Sequence, residues 1–361
     1  MARKIRAVVV DDSAFMRKSL SLMMEGSGEI EIVGMARDGL EGIEMVKKKM
    51  PDIVTMDIEM PKMDGITALQ KIMKECPTPV LMVSSLTTDG AKETLRAMEY
   101  GAIDFIPKEM SYVSVNISKI KDDLIEKVKT IVRQKSLSLR LERIRSLGVR
   151  KTESNNSRSI PVSLEALPNI GYRAVGLGIS TGGPLSLQKV VPKITAKLSV
   201  PLFIVQHMPP KFTKSLAERL NSLSEVEVRE AEDGEIVKSG VVYIAPGGLH
   251  MVVEKTTANQ VKIVITDKPV ESLHHPSVDV MINSLLKVYG KYTLGVIMTG
   301  MGHDGAGAIK ELKLLGGYSI AQDEESCVVY GMPKAIVDAG FADLVLPLEI
   351  IPEAINKVCT K

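Results

Sequence analysis

Short apolar runs recur along the first third of the chain, at residues 7–10, 30–33, 53–56, 80–83 and 103–106. Between them lie stretches with one-sided apolar spacing, such as 15–24 and 66–73. Near-continuous apolar strands alternating with amphipathic helices predict a parallel sheet covered on both faces. A longer helical pattern, roughly 117 to 147, follows, with Ile120, Leu124, Val128 and Ile131 at helical spacing. It gives way to a polar stretch at 152–159, TESNNSRS, which has no apolar anchor and reads as a flexible linker. The alternation then resumes, with strand-like runs at 174–177, 202–205, 241–245, 261–265, 294–298 and 318–321. The pattern predicts a second α/β domain.

Composition adds limits. A chain of 361 residues is long enough for two or three domains, each with its own core. Apolar residues at 45% and charged residues at 25% are ordinary for a globular protein. The formal net charge of +2 singles out no partner, but residues 119–158 carry a net +7, so positive charge is concentrated mid-chain. Cys76, Cys327 and Cys359 are widely spaced, which favours reduced thiols in a cytoplasmic protein over a disulfide framework. The opening MARKIRAVVVDD turns acidic too soon for a signal peptide, and no apolar run is long enough to span a bilayer. Direct membrane insertion is not expected.

Chemistry gathers at the ends of the predicted strands. Asp11 and Asp12 follow the first run and Asp57 follows the third. In an open parallel sheet these ends converge near the topological switch point, where ligands bind. Crowded carboxylates need a cation, and an oxygen-lined site with open positions suits Mg²⁺. Ser84 ends the fourth run and Lys108 follows the fifth, so a hydroxyl and an ammonium can each hold an oxygen of a phosphoryl group on Asp57. Any one of these residues alone is more often a cap or a solvated charge. The five together point to a phosphoacceptor site.

In the second half, AVGLGISTGGPLSL runs a strand through Ser180 into a glycine-rich turn and a helix opened by Pro184. Such a turn offers unpaired N–H groups to a developing oxyanion, and equally to a phosphate. Its neighbours favour a nucleophile. His207 lies just past the strand in LFIVQHMPP, and Asp304 lies past the strand in LGVIMTGMGHDG. A serine needs a base, and the base needs an orienting acid. His250, in YIAPGGLH, competes with His207 for the role of base. His274 and His275 read as loop-shaping or substrate-touching residues, and His303 points away if Asp304 faces the site. Cys327 beside apolar residues reads as an inert thiol, and the five histidines show no metal-hydrolase spacing. A DNA-binding output would rest only on the basic stretch up to Arg158, which lacks a helix-turn-helix pattern. A phosphorylation-controlled binding module would need a dead hydrolase site, against the intact Ser180, His207 and Asp304.

VVVDDSAFMR, TMDIEMPKMDG, VLMVSS and AIDFIPK resemble the receiver domain of two-component response regulators, over residues 4 to about 125. That resemblance implies a flavodoxin-like fold, phosphorylation of Asp57, Mg²⁺ held by Asp11, Asp12 and Asp57, and switching through Ser84 and Phe105. Receivers commonly have proline after the lysine, where this chain has Glu109. GISTGG, VQHMPP, YIAPGG, HPSVDV, MTGMGHDG and QDEESCVVYGMP occur in this order and resemble the catalytic domain of the chemotaxis protein-glutamate methylesterases. This implies a doubly wound, mostly parallel α/β domain. It implies Ser180 as nucleophile, His207 as base and then acid, Asp304 as its orienting partner, and the Met301 N–H in the oxyanion hole. Members often carry arginine where this chain has His275. The resemblance further implies methyl-accepting chemoreceptors as substrate, a chemotaxis histidine kinase as phosphodonor and no nucleic-acid partner. Some members also deamidate glutamine. The expected division is a receiver at 1–125, a basic helical stretch and linker at 126–169, and a catalytic domain at 170–361. The expected regulation is a receiver that covers the approach to Ser180 until Asp57 is phosphorylated.

Overall fold

The computed structural model describes residues 3–108, 116–133, 164 and 167–360. The expected linker at 152–159, Glu109, and the later part of the long helical pattern lie outside these residues. The chain divides into two compact units, Met1–Ser154 and Asn155–Lys361.

The first unit alternates β1 (Ile5–Val10), α1 (Ala14–Glu25), β2 (Ile30–Ala36), α2 (Gly39–Lys49), β3 (Ile53–Asp57), α3 (Gly65–Glu75), β4 (Val80–Ser84), α4 (Thr88–Glu99), β5 (Asp104–Pro107) and α5 (Asn116–Arg133). The five strands pair in the order β2-β1-β3-β4-β5, all parallel. That order puts the switch point between β1 and β3. β1 and β3 are almost wholly buried, as their continuous apolar runs predict. Helix starts are marked by side-chain caps: Ser13, Asp38, Asp64 and Thr87 each accept an N–H of the following first turn. α5 continues past residue 125 and buries Leu124, Val128 and Ile131, so its apolar stripe belongs to this core. Lys129 pairs with Glu29 at 2.7 Å, and Arg133 pairs with the same carboxylate.

The second unit runs β6 (Ala174–Ile179), α6 (Gly183–Val190), β7 (Leu202–Gln206), α7 (Phe212–Leu223), β8 (Glu227–Glu230), β9 (Val241–Ile244), β10 (His250–Lys255) and β11 (Val261–Thr266). It then continues through α8 (Val278–Tyr289), β12 (Thr293–Ile297), α9 (Ala306–Leu314), β13 (Tyr318–Gln322), α10 (Met332–Asp338), β14 (Leu344–Leu346) and α11 (Ile351–Cys359). Seven strands form one parallel sheet in the order β14-β13-β12-β6-β7-β9-β8. The chain winds outward from β6 on one side and then returns to pair β12 on the other. β6 is therefore the switch strand. The run at 261–265 is a strand but not part of this sheet: β10 and β11 form a separate antiparallel hairpin.

Glycine shapes the contact that matters most for the site. Gly178 on β6 faces Val278, the first residue of α8, and a Cβ there would overlap the valine side chain. The missing side chain lets the N-terminus of α8 come down onto the end of β6. Val278, Met281, Ile282 and Leu285 then fill the core between α8 and the sheet.

Candidate functional site

Ser180 is the first residue beyond β6. Its backbone is pinned on both sides, donating its N–H to Thr299 O at 2.9 Å and offering its carbonyl to Gln206 Nε2 at 3.0 Å. Gly182, with φ of 75°, turns the chain into α6. A Cβ on Gly182 would strike Val328, so both the backbone angle and the space require glycine there. Ser180 itself is half-buried. Among the described residues no acceptor takes the N–H of Thr181, Gly182 or Met301.

His207 is the first residue beyond β7. Ile179 of β6 pairs with Gln206 of β7, so Ser180 and His207 follow one another's register on neighbouring strands. The His207 N–H donates to Ile179 O at 3.2 Å. Its Nε2 lies 2.8 Å from Asp304 Oδ2. An ionised carboxylate only accepts, so Nε2 carries a proton, and in the neutral ring Nδ1 is then the atom with the lone pair. That Nδ1 is buried and makes no hydrogen bond. The ring of His274 stacks on His207, with centroids 4.2 Å apart and planes at 17°.

Asp304 is fixed by four donors. Besides His207 it accepts the Ser277 hydroxyl at 2.9 Å, the Val278 N–H at 2.7 Å and the Asp279 N–H at 3.0 Å. Two of these are free N–H groups at the start of α8, where partial positive charge favours an anion. Burial opposes ionisation of Asp304. The His207 hydrogen bond and charge, with the Asp279 and Val278 N–H groups, outweigh it and hold the carboxyl well below its usual range. Asp279 in turn accepts the Ala308 N–H in the first turn of α9, at 2.6 Å. Each carboxylate thus caps the other's helix.

The rival histidines fall elsewhere. His250 is fully buried, accepts the Ser277 N–H on Nδ1 and donates from Nε2 to Pro269 O, each at 3.2 Å. Both of its nitrogens are engaged with backbone, and burial pushes its basicity down. His303 is exposed. Burial pushes the Cys327 thiol far up, so it is an inert core residue.

In the first unit, one oxygen each of Asp11, Asp12 and Asp57 lie within 4.8 Å of one another at the β1/β3 switch point. Asp11 and Asp57 are buried and Asp12 is exposed. Lys108 Nζ lies 2.6 Å from Asp57 and 3.4 Å from Asp11. Burial pushes Asp57 up to about 6 despite the ammonium beside it, with Asp11 adding to the rise. The ammonium therefore does not offset the cost of burying this carboxylate. A set of hard carboxylate oxygens with unrelieved negative charge fits Mg²⁺. Ser84 is buried and turned toward α4: its hydroxyl donates to Gly90 O at 3.2 Å and accepts from Thr94 Oγ1 at 2.7 Å. Phe105 is buried, and Lys127 Nζ lies 5.8 Å from its ring centre.

A family model described as CheB methylesterase matches residues 175–355, and one described as response regulator receiver domain matches residues 7–116. A protein-glutamate methylesterase/protein-glutamine glutaminase of Pyrococcus horikoshii is 47% identical over 359 residues, covering 99% of this chain and 94% of the relative. The chain belongs to the CheB methylesterase family. A relative of the same name from Methanosarcina mazei, numbered 1 there, is 45% identical, covering 98% of this chain and 96% of its own. The crystal structure of the Thermotoga maritima CheB methylesterase catalytic domain is 43% identical with a TM-score of 0.50. It covers 52% of this chain and all of its own. The CheB methylesterase fold is thus joined to a receiver fold in one two-domain α/β chain.

Within this CheB methylesterase framework, the structure brings Ser180, His207 and Asp304 beyond the ends of three adjacent strands, β6, β7 and β12 respectively. Sequence reasoning did not single out Ser277, Asp279 or Gln206, and it read His274 as loop-shaping or substrate-touching rather than as a ring stacked on His207. The Ser277–Asp279 signal was present as a helix start, a serine followed by an apolar-periodic run with an acid in the first turn. Nothing in that pattern says which anion the free N–H groups will meet.

Proposed function

We propose that this chain hydrolyses glutamyl methyl esters on chemoreceptors through a Ser180 acyl-enzyme, under control of phosphorylation at Asp57. The observation that carries the reading is the His207–Asp304 pair, with the unclaimed Nδ1 of His207 at the end of the strand next to that of Ser180. Ser180 Oγ attacks the γ-carbonyl, and its proton passes to His207 Nδ1. The carbonyl oxygen becomes an oxyanion that accepts from the Met301 N–H. The C–O bond to methanol then breaks, and methanol leaves with the proton from His207. A water attacks the acyl-enzyme and gives its proton to His207; the Ser180–acyl bond then breaks, Ser180 Oγ takes that proton back from His207, and glutamate is released. Asp304 keeps the ring oriented and balances the imidazolium; it does not take the proton. No hydrogen bond joins Ser180 Oγ to His207 in this resting arrangement, as is common before substrate binds.

The same acyl-enzyme would form from a glutamine, with ammonia leaving instead of methanol. The relatives' names include that activity, and the proposal extends to it here. The hydrolysis needs no cofactor in this reading. Mg²⁺ held by Asp11, Asp12 and Asp57 would supply charge neutralisation at the phosphoryl group. Lys108 would hold one phosphoryl oxygen. Ser84 would leave Gly90 to meet another, and Phe105 would follow, biasing the α4–β5 surface between two states. A chemotaxis histidine kinase is the proposed donor, in the cytoplasm. No described helix is long and apolar enough to cross a membrane.

The test is methanol release from methylated chemoreceptors by the whole protein, with and without a small phosphodonor and Mg²⁺. The proposal expects release that the phosphodonor stimulates in wild type but not in Asp57→Asn. Absence of methanol under all conditions would remove the receptor esterase reading.

A further inference from the structure

The stack of His274 on His207 takes no part in the proton transfers above. We propose that His274 is a positioning residue that sets the plane of the His207 ring. The inference rests on the reading of His207 as the base. The Asp304 hydrogen bond fixes the direction of Nε2, but one hydrogen bond leaves the ring able to swing about that contact. A flat ring lying 4.2 Å away and tilted by only 17° removes that freedom. The two constraints together hold Nε2 on Asp304 and keep the ring from turning about that contact.

His274 is itself anchored through its chain neighbours. The His275 carbonyl accepts the Gly248 N–H at 3.1 Å, and the His275 ring lies 4.4 Å from that of buried His250. Pro276 and Ser277 are buried. His250 accepts the Ser277 N–H, and the Ser277 hydroxyl reaches Asp304. One segment, 274–277, therefore grips the acid with Ser277 and lays His274 across the base. This gives the paired histidines separate tasks: His275 and His250 fasten the segment, and His274 acts on the site. His274 is only half-buried and follows the exposed Leu273, so it is not a core residue whose loss empties the interior.

The experiment measures methanol release by the whole protein with methylated receptor, Mg²⁺ and saturating phosphodonor. His274→Ala is expected to lower kcat about tenfold, the scale of one lost ring contact, and to change KM less than about twofold. His274→Phe, which keeps a flat ring without a titrating group, should recover most of kcat. His274→Leu, of similar bulk but not flat, should not. In a His207→Ala background, where no ring remains to position, His274→Ala should cause no further loss. The proposal is overturned if His274→Ala keeps wild-type kcat, if leucine rescues as well as phenylalanine, or if the loss persists without His207. Should alanine unfold the domain, the comparison of phenylalanine with leucine decides alone. Near wild-type activity of His207→Ala would instead overturn the assignment of the base, and this inference with it.

Discussion

Asp304 holds the clearest electrostatic signature among the residues proposed as catalytic. Four donors and the start of α8 keep its carboxyl ionised against burial. Its folded pKa lies below its unfolded value, so it contributes stability that is present above about pH 4 and lost as pH falls toward the folded value. Asp304→Asn should therefore be less stable than wild type at pH 7 and should lose less between pH 5 and pH 3. Thermal unfolding of both proteins across that range tests this; parallel curves would contradict it. On kcat, Asp304→Ala should be milder than Ser180→Ala, with losses on the order of 10⁴-fold and 10⁶-fold by analogy with other serine hydrolases. Equal losses would mean that Asp304 does more than orient. Asp11, Asp57, Lys108, Ser180 and His207 stood out because each closes or closely follows an apolar run, whereas Asp304 lies further on, in the glycine-rich loop after the run at 294–298. The sequence reading preferred His207 to His250 as base, although both follow such runs. In the folded chain both nitrogens of His250 are engaged with backbone, which supports that preference.

Elements decide whether these residues meet. Gly178 reads in the sequence as part of a glycine-rich turn that approaches a substrate. In the structure it admits Val278 and so delivers the α8 N-terminus to Asp304. Gly178→Ala should push α8 outward, cost about 1–3 kcal/mol as overpacking, and lower kcat through Asp304. Denaturant unfolding and methanol release measure the two effects; a stable variant with full activity would remove this role. Strands dominated by apolar residues were visible as patterns, and those that were not visible have physical reasons. β8 reads EVRE and buries only Val228, β14 has three residues, and β10 begins at a histidine and ends in Glu254 and Lys255. The run paired as β11 was visible, but its antiparallel partner was not. Its place in a hairpin outside the sheet was therefore lost. α5 was visible as a helix, and its buried Val128 and Ile131 lie beyond the expected boundary at residue 125.

At the scale of the whole molecule, two parallel sheets each place their chemistry at the switch point, between β1 and β3 in one and around β6 in the other. Control then requires that the state of Asp57 alters work done at Ser180. A fragment starting near Ile160 should be more active than the unphosphorylated whole chain, if the receiver acts by restraint. A shift of about 3 kcal/mol in that restraint corresponds to roughly a hundredfold change in the active population. A fragment no faster than the whole chain would mean that the receiver works by positive activation. The most direct test of the central claim is a single-turnover measurement on methylated receptor, using wild type and a Ser180→Ala protein shown to be folded by circular dichroism. The account predicts stoichiometric methanol release by wild type with a receptor-derived acyl group trapped on Ser180, and neither methanol nor adduct from the variant. Methanol release at a near wild-type rate by folded Ser180→Ala would contradict it.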